Sequence, residues 1–154
     1  MSSSIQDLEP VTRNLCQQLL AAWEEGMHPP LRITQTLRTF DEQMHLYQQG
    51  RRLDGKVWLV AEPRLIVTKA QPGESPHNYG AAFDVCFTGS DPYLHAHEVA
   101  NKNQPDPLWG LLGAVGEKLG LEWGGNWPTL KDRPHFQRPD WSRLRIAHDW
   151  AKLA

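Results

Sequence analysis

Apolar side chains recur at Leu8, Val11, Leu15, Leu19 and Trp23, three or four residues apart, which predicts a helix with one buried stripe. Pro10 suits its first turn and Gly26 its stop. After the break at His28, Pro29 and Pro30, the run LRITQTL alternates and predicts a strand ending near Arg38. Thr39 and Glu42 make a capping box for a second helix that runs through Tyr47 and stops at Gly50. On that helix Gln43 faces either a cleft or solvent. VWLV and LIV, on either side of Glu62, Pro63 and Arg64, predict a hairpin. The loop QPGESP leads into AAFDVCF, a short apolar run rich in strand formers.

A long polar stretch, GSDPYLHAHEVANKNQPDP, reads as a surface excursion, and its His95 and His97 as polar surface residues rather than a metal pair. Asp106 and Pro107 open the next helix, whose stripe is Leu108, Leu111, Leu112, Val115 and Leu119, closed by Gly120. LEWGGNWPTLKDRPHF predicts a strand, a glycine turn, a loop and a strand. Trp123 is expected in the core there and Trp127 on a cleft. WSRLRIAHDWAKLA is amphipathic, with Trp141, Leu144, Ala147 and Trp150 on one face and Arg143, Arg145 and Lys152 elsewhere. A docked terminal helix is the expectation, ahead of contact with an anionic lipid or outer-membrane surface. Together these elements predict an α+β fold, a small mainly antiparallel sheet flanked by helices.

Composition narrows the class. The chain's 154 residues suit one domain, 1–154, and 40% hydrophobic content allows a real core. Neither a repeat nor a Pro/Ser-rich linker announces a second, separate binding module. A formal net charge of −2 lacks the basic excess of nucleic-acid binders, so no such partner is expected. Cys16 and Cys86 sit in no metal-binding spacing and read as free thiols of a reducing compartment. MSSSIQDLEP has no secretory pattern, and no apolar stretch is long enough to cross a bilayer. The expectation is a monomer held in the cytoplasm, without stable membrane insertion, until something releases it.

The candidate chemistry lies in SPHNYGAAFDV, residues 75–85. Side chains alternate along a strand, so Asp84 shares a face with Ala82 and Cys86 while Phe83, Val85 and Phe87 point into a core. A carboxylate on such a strand costs several kcal/mol unless a cation meets it. Zinc accepts imidazole plus carboxylate, which makes His77 and Asp84 candidate ligands and calls for a third. DRPHFQ supplies it as His135, with Asp132 three residues earlier as a candidate general base. Singly, each of these reads more simply as a surface, core or turn residue. Ser75 serves either a substrate or its own loop backbone.

SxHxxGxAxD followed by GLEWGGNW and DRPHF, together with RTFDEQMHLYQQGR at 38–51, resembles the zinc peptidases of the D-alanyl-D-alanine carboxypeptidase superfamily. Within it the chain is similar to the L-alanyl-D-glutamate endopeptidases found as bacteriophage endolysins, over about Ile33 to Gln137. The resemblance implies a hedgehog/DD-peptidase-like fold with one zinc on His77, Asp84 and His135, and Asp132 as the catalytic carboxylate. Arg38 then holds substrate or its oxyanion, and the substrate is the stem peptide of bacterial peptidoglycan. It also implies a lysin that leaves the host cytoplasm to act on the periplasmic wall. The alternatives are a D-alanyl-D-alanine carboxypeptidase or dipeptidase, and a noncatalytic zinc-stabilised binding domain. Arg133 stands where some relatives carry a histidine two residues before the last ligand; the endolysin branch uses the acid three residues before, which this chain has. The segment from Gly55 to Ala70 is longer than the short link expected at the rim of the substrate cleft.

Overall fold

The computed structural model describes residues 1–94 and 107–153. His95, His97, Asp106 and the side chain of Trp150 lie outside the described residues. The chain runs α1 (Pro10–Glu25), β1 (Leu31–Gln35), α2 (Phe40–Gln48), β2 (Arg51–Asp54), β3 (Val57–Val60), β4 (Ala82–Phe87), α3 (Pro107–Lys118), β5 (Glu122–Trp123), β6 (His135–Gln137) and α4 (Ser142–Leu153). Four strands pair antiparallel in the order β1-β4-β6-β5, and β2-β3 forms a separate hairpin. This is the small antiparallel sheet with flanking helices that the pattern predicts.

Alternation divides the sheet into a core face and a site face. Phe83, Val85 and Phe87 of β4 and Phe136 of β6 are buried with Cys16, Leu19 and Trp23 of α1 and Trp109 and Leu112 of α3. Asp84, His135 and Gln137 occupy the alternate positions, so they share the opposite face. Two aromatic rings of the core face rest against glycines of α3. A Cβ at Gly113 would lie 2.3 Å from the Trp123 ring, and one at Gly116 2.5 Å from the Phe136 ring. The buried side of α3 is therefore Trp109, Leu112, Gly113 and Gly116, while Leu111, expected in the stripe, is 43% exposed. Reading hydrophobicity alone misses a helix face that packs through small residues.

The first helix departs from expectation in the same way. Its buried side is Thr12, Cys16, Leu19 and Trp23, and Val11 is half exposed. Thr12 goes inward because its hydroxyl donates to the Glu9 carboxylate, which satisfies it there. Glu9 also accepts from the Val11 and Thr12 amides as the N-cap of α1, and its oxygen lies 3.1 Å from Arg138, just past β6. Partial burial opposes its ionisation, but those bonds and the Arg138 charge outweigh it and hold the carboxyl below the ordinary 4.5. Glu9→Ala is expected to cost about 1–2 kcal/mol at neutral pH, the worth of an N-cap. A folded-state pKa below the unfolded one means this stability is present above about pH 4.5 and is lost as the pH falls through the lowered value. Urea titrations of both proteins at pH 7 and pH 2.5 check this: the difference should shrink in acid.

The 51–70 segment corrects one expectation. VWLV pairs with the preceding RRLD, Asp54 opposite Val57, and not with LIV. A two-residue loop, Gly55 and Lys56, joins the strands, with Gly55 at φ +62° as such tight turns require. Pro63–Leu65 forms a 3₁₀ turn instead of a hairpin bend. Arg51 lies over the Tyr47 ring, 4.0 Å from its centroid, and donates to the Thr68 carbonyl, which binds the hairpin to the end of α2.

Helix α4 docks, as expected of a terminal amphipathic helix, with Trp141 and Leu144 half-buried as the pattern predicts and His148 turned inward in place of Ala147. Trp141 stacks on Tyr79, His148 meets both Tyr79 and Phe40, and Lys152 sits over the Phe40 ring. Ala147, expected on the packing face, is exposed. Tyr79 belongs to the 3₁₀ turn Pro76–Tyr79, so the helix braces the turn that carries His77. No helix among the described residues is long and apolar enough to cross a membrane.

Candidate metal centre

The sheet register builds most of the centre. Asp84 and His135 are direct cross-strand partners between β4 and β6, and Gln35 lies opposite Asp84 on the β1 side, after a bulge. Directly opposed residues hold their Cβ atoms about 4.5–5.5 Å apart, so the side chains of such a pair meet. His77 arrives from the 3₁₀ turn just before β4. Gly80, in the left-handed conformation at φ +64°, ends that turn and lets the chain reverse into the strand.

Three side-chain atoms converge. Asp84 Oδ1 is 3.0 Å from His135 Nδ1 and 3.3 Å from His77 Nε2, and the two ring nitrogens are 3.3 Å apart. The far nitrogen of each ring is committed elsewhere. His77 Nδ1 lies 2.7 Å from the Thr36 carbonyl, which can only accept, so that nitrogen carries the proton and Nε2 presents a lone pair. His135 Nε2 lies 2.9 Å from Gln137 Oε1, leaving Nδ1 turned to the cluster. Two imidazole nitrogens and a carboxylate oxygen facing one point are a donor set that could hold a metal ion. Ligands about 2.0–2.1 Å from a tetrahedral ion stand roughly 3.3 Å from one another, which these three separations match.

The electrostatics of the cluster follow. Burial alone would raise the Asp84 carboxyl, but the His77 and His135 rings outweigh it and hold Asp84 far below the ordinary carboxylate range. Burial alone would lower His135, and Asp84 reverses that and raises it.

Arg38 lies beside this cluster. Its Nη1 donates to Gln43 Oε1 at 2.8 Å and its Nη2 to Gln35 Oε1 at 2.7 Å. Burial lowers its pKa, opposed by the charges of Asp84, Glu42 and Asp132. Gln43 is therefore neither a cleft residue free to meet substrate nor an exposed helix position. It is 0% exposed, and its amide donates to the Ala70 carbonyl while its oxygen holds Arg38.

Asp132 is half-buried in the loop before β6, near enough for its charge to act on both Arg38 and His135. Its amide donates to the Gly124 carbonyl and its carbonyl accepts from the His135 amide. Gly124 admits this turn: a Cβ there would lie 2.4 Å from the Asp132 carbonyl oxygen. Trp127 is half-buried, its ring centroid 5.1 Å from that of His135. Ser75 is buried at the N-cap of the His77 turn, where its carbonyl accepts from Asn78 and its hydroxyl makes no cap bond.

Three supporting residues stand outside the expected site. Asn78 accepts from the Gly73 amide and donates to the Arg38 carbonyl, tying the loop before His77 to the Arg38 segment. Gln137 and Glu122 meet behind His135. Only the period-two rule could have found Gln137, two residues past a ligand and so on its face.

The family model described as D-alanyl-D-alanine carboxypeptidase matches residues 68–138. The peptidoglycan L-alanyl-D-glutamate endopeptidase CwlK of Bacillus subtilis (strain 168) is 35% identical over 133 residues, covering 85% of this chain and 73% of that protein. Among solved structures, the L-Ala D-Glu endopeptidase ChiX of Serratia marcescens superposes with a TM-score of 0.58 at 19% identity, covering 91% of this chain and 86% of that one. The vancomycin-resistance D,D-pentapeptidase VanY, solved in complex with Zn(II), gives 0.52 at 15% identity over 90% and 78%. The two structures share this chain's fold.

Proposed function

Because the chain belongs to the D-alanyl-D-alanine carboxypeptidase family of peptidases, we propose that it is a zinc-dependent peptidoglycan endopeptidase that hydrolyses the L-alanyl-D-glutamate bond of the stem peptide. The observation that carries this reading is the convergence of His77 Nε2, Asp84 Oδ1 and His135 Nδ1 at tetrahedral spacing, in a chain 35% identical to an enzyme of that name. His77, Asp84 and His135 hold the ion. Zinc so bound supplies a Lewis acid for the scissile carbonyl and a lowered pKa for water.

The chain's own groups do the rest. Asp132 takes a proton from the attacking water as its oxygen bonds to the carbonyl carbon, and returns it to the D-glutamate nitrogen as the C–N bond breaks. Arg38, braced by Gln35 and Gln43, presents its guanidinium to the oxyanion or to a substrate carboxylate. Trp127 walls the cleft beside His135. In this reading the protein works as one domain and one copy, without nucleic acid, and reaches the wall as a lysin released from the cytoplasm.

Mass spectrometry of purified peptidoglycan digested with and without a chelator, then with zinc restored, tests the proposal. New N-terminal D-glutamate ends should appear, vanish with chelator and return with zinc. Released D-alanine would overturn the bond assignment, and no cleavage by zinc-loaded protein on several wall types would overturn the enzyme reading.

A further inference from the structure

We infer that Gln137, clamped by Glu122, is a positioning residue for His135, fixing which ring nitrogen faces the metal position. Glu122 and Gln137 are direct cross-strand partners between β5 and β6, so their meeting is written into the sheet. Gln137 Nε2 donates to Glu122 Oε2 at 3.2 Å, and Trp127 Nε1 donates to Glu122 Oε1 at 3.0 Å. A carboxylate accepts only, so it draws the NH₂ side of the Gln137 amide toward itself. The amide oxygen is then left for His135 Nε2, 2.9 Å away. That oxygen also only accepts. His135 must therefore carry hydrogen on Nε2 and turn its Nδ1 lone pair to Asp84 and His77.

Without Glu122 the Gln137 amide is free to rotate and offer NH₂ to His135. The ring would then favour a proton on Nδ1, the atom the cluster needs bare. Gln137 is 7% exposed, so water replaces the lost bond poorly. Glu122 also anchors the indole beside His135, so one carboxylate sets both the ligand's tautomer and the Trp127 wall of the cleft. A sheet hydrogen bond network thus reaches the chemistry without touching substrate.

The inference rests on the reading of His135 as a ligand, and its test separates the two. Zinc affinity is measured by competition with a fluorescent chelator for the full-length wild type, Gln137→Met, Glu122→Ala, Glu122→Gln and His135→Ala. Gln137→Met and Glu122→Ala should each weaken zinc about 10- to 100-fold, the usual worth of an outer partner of a metal-bound histidine. Glu122→Gln offers one acceptor oxygen to the two donors that Glu122 satisfies, so it should bind zinc more tightly than Glu122→Ala and more weakly than the wild type. His135→Ala should lose more than any of them. Unchanged zinc binding in His135→Ala would overturn the ligand reading itself. Loss in His135→Ala with wild-type affinity in Gln137→Met would overturn this inference alone. Should the Gln137 variant fail to fold, ¹⁵N NMR of the zinc-loaded wild type decides. A hydrogen-bonded Nε2–H on His135 is expected, and a bare Nε2 would overturn the inference.

Discussion

His135→Ala is expected to remove bound zinc and turnover together, while the fold survives. His135 supplies one of three converging donor atoms. Without it, His77 Nε2 and Asp84 Oδ1 remain 3.3 Å apart as a two-ligand site. The loss should exceed the roughly 10- to 100-fold typical of outer-shell changes. The fold is held elsewhere: Phe136 points the other way into the aromatic core with Phe83, and the backbone pairing of β4 and β6 does not involve the imidazole. Metal analysis after dialysis, circular dichroism and the wall-digestion assay check all three parts. Zinc stoichiometry and turnover should fall together with the spectrum unchanged. A variant that still binds one zinc tightly would remove His135 from the ligand set.

This separation of core and site explains what the sequence makes legible. Period two along β4 puts Asp84 on one face and Phe83, Val85 and Phe87 on the other, because β4 is an inner strand with one face packed into the core, which leaves the alternation little freedom. The convergence of His77 and His135 on Asp84 is a long-range fact, readable only because each lies in its own motif. Helix phases were less legible. Thr12 replaces Val11 because a local hydrogen bond satisfies a polar side chain in the core, and Gly113 and Gly116 bury a face that hydrophobicity cannot register. The true hairpin is hard to read from the sequence because its first strand, RRLD, is polar, although Asp54 and Gly55 are a turn signal.

The supporting residues were invisible for another reason. Glutamine at 43 or 137 has no spacing that marks it as structural. Its role exists only once Arg38 or His135 lies against it. The chemistry of ligands is carried by residue type, whereas the bracing of ligands is carried by register. Sequence reading recovers the first more readily than the second.

Asp132→Ala is expected to separate what His135→Ala joins: zinc retained, turnover lowered about 10²- to 10⁴-fold, the usual worth of a positioned general acid–base. The contrast follows from how Asp132 is held. Its backbone makes the turn, through the amide bonded to Gly124 and the carbonyl bonded to the His135 amide. The side chain can therefore go while β6 still presents His135. What goes with it is a carboxylate whose charge acts on both Arg38 and His135. Asp132→Asn sharpens the test by keeping size and shape while removing the ability to take a proton. If both variants bind zinc like the wild type and lose kcat alike, proton transfer accounts for the loss. If Asp132→Asn stays active while Asp132→Ala does not, the residue shapes the cleft and the base lies elsewhere. Loss of zinc in either variant would instead mean that the carboxylate helps hold the ion or the turn that presents His135.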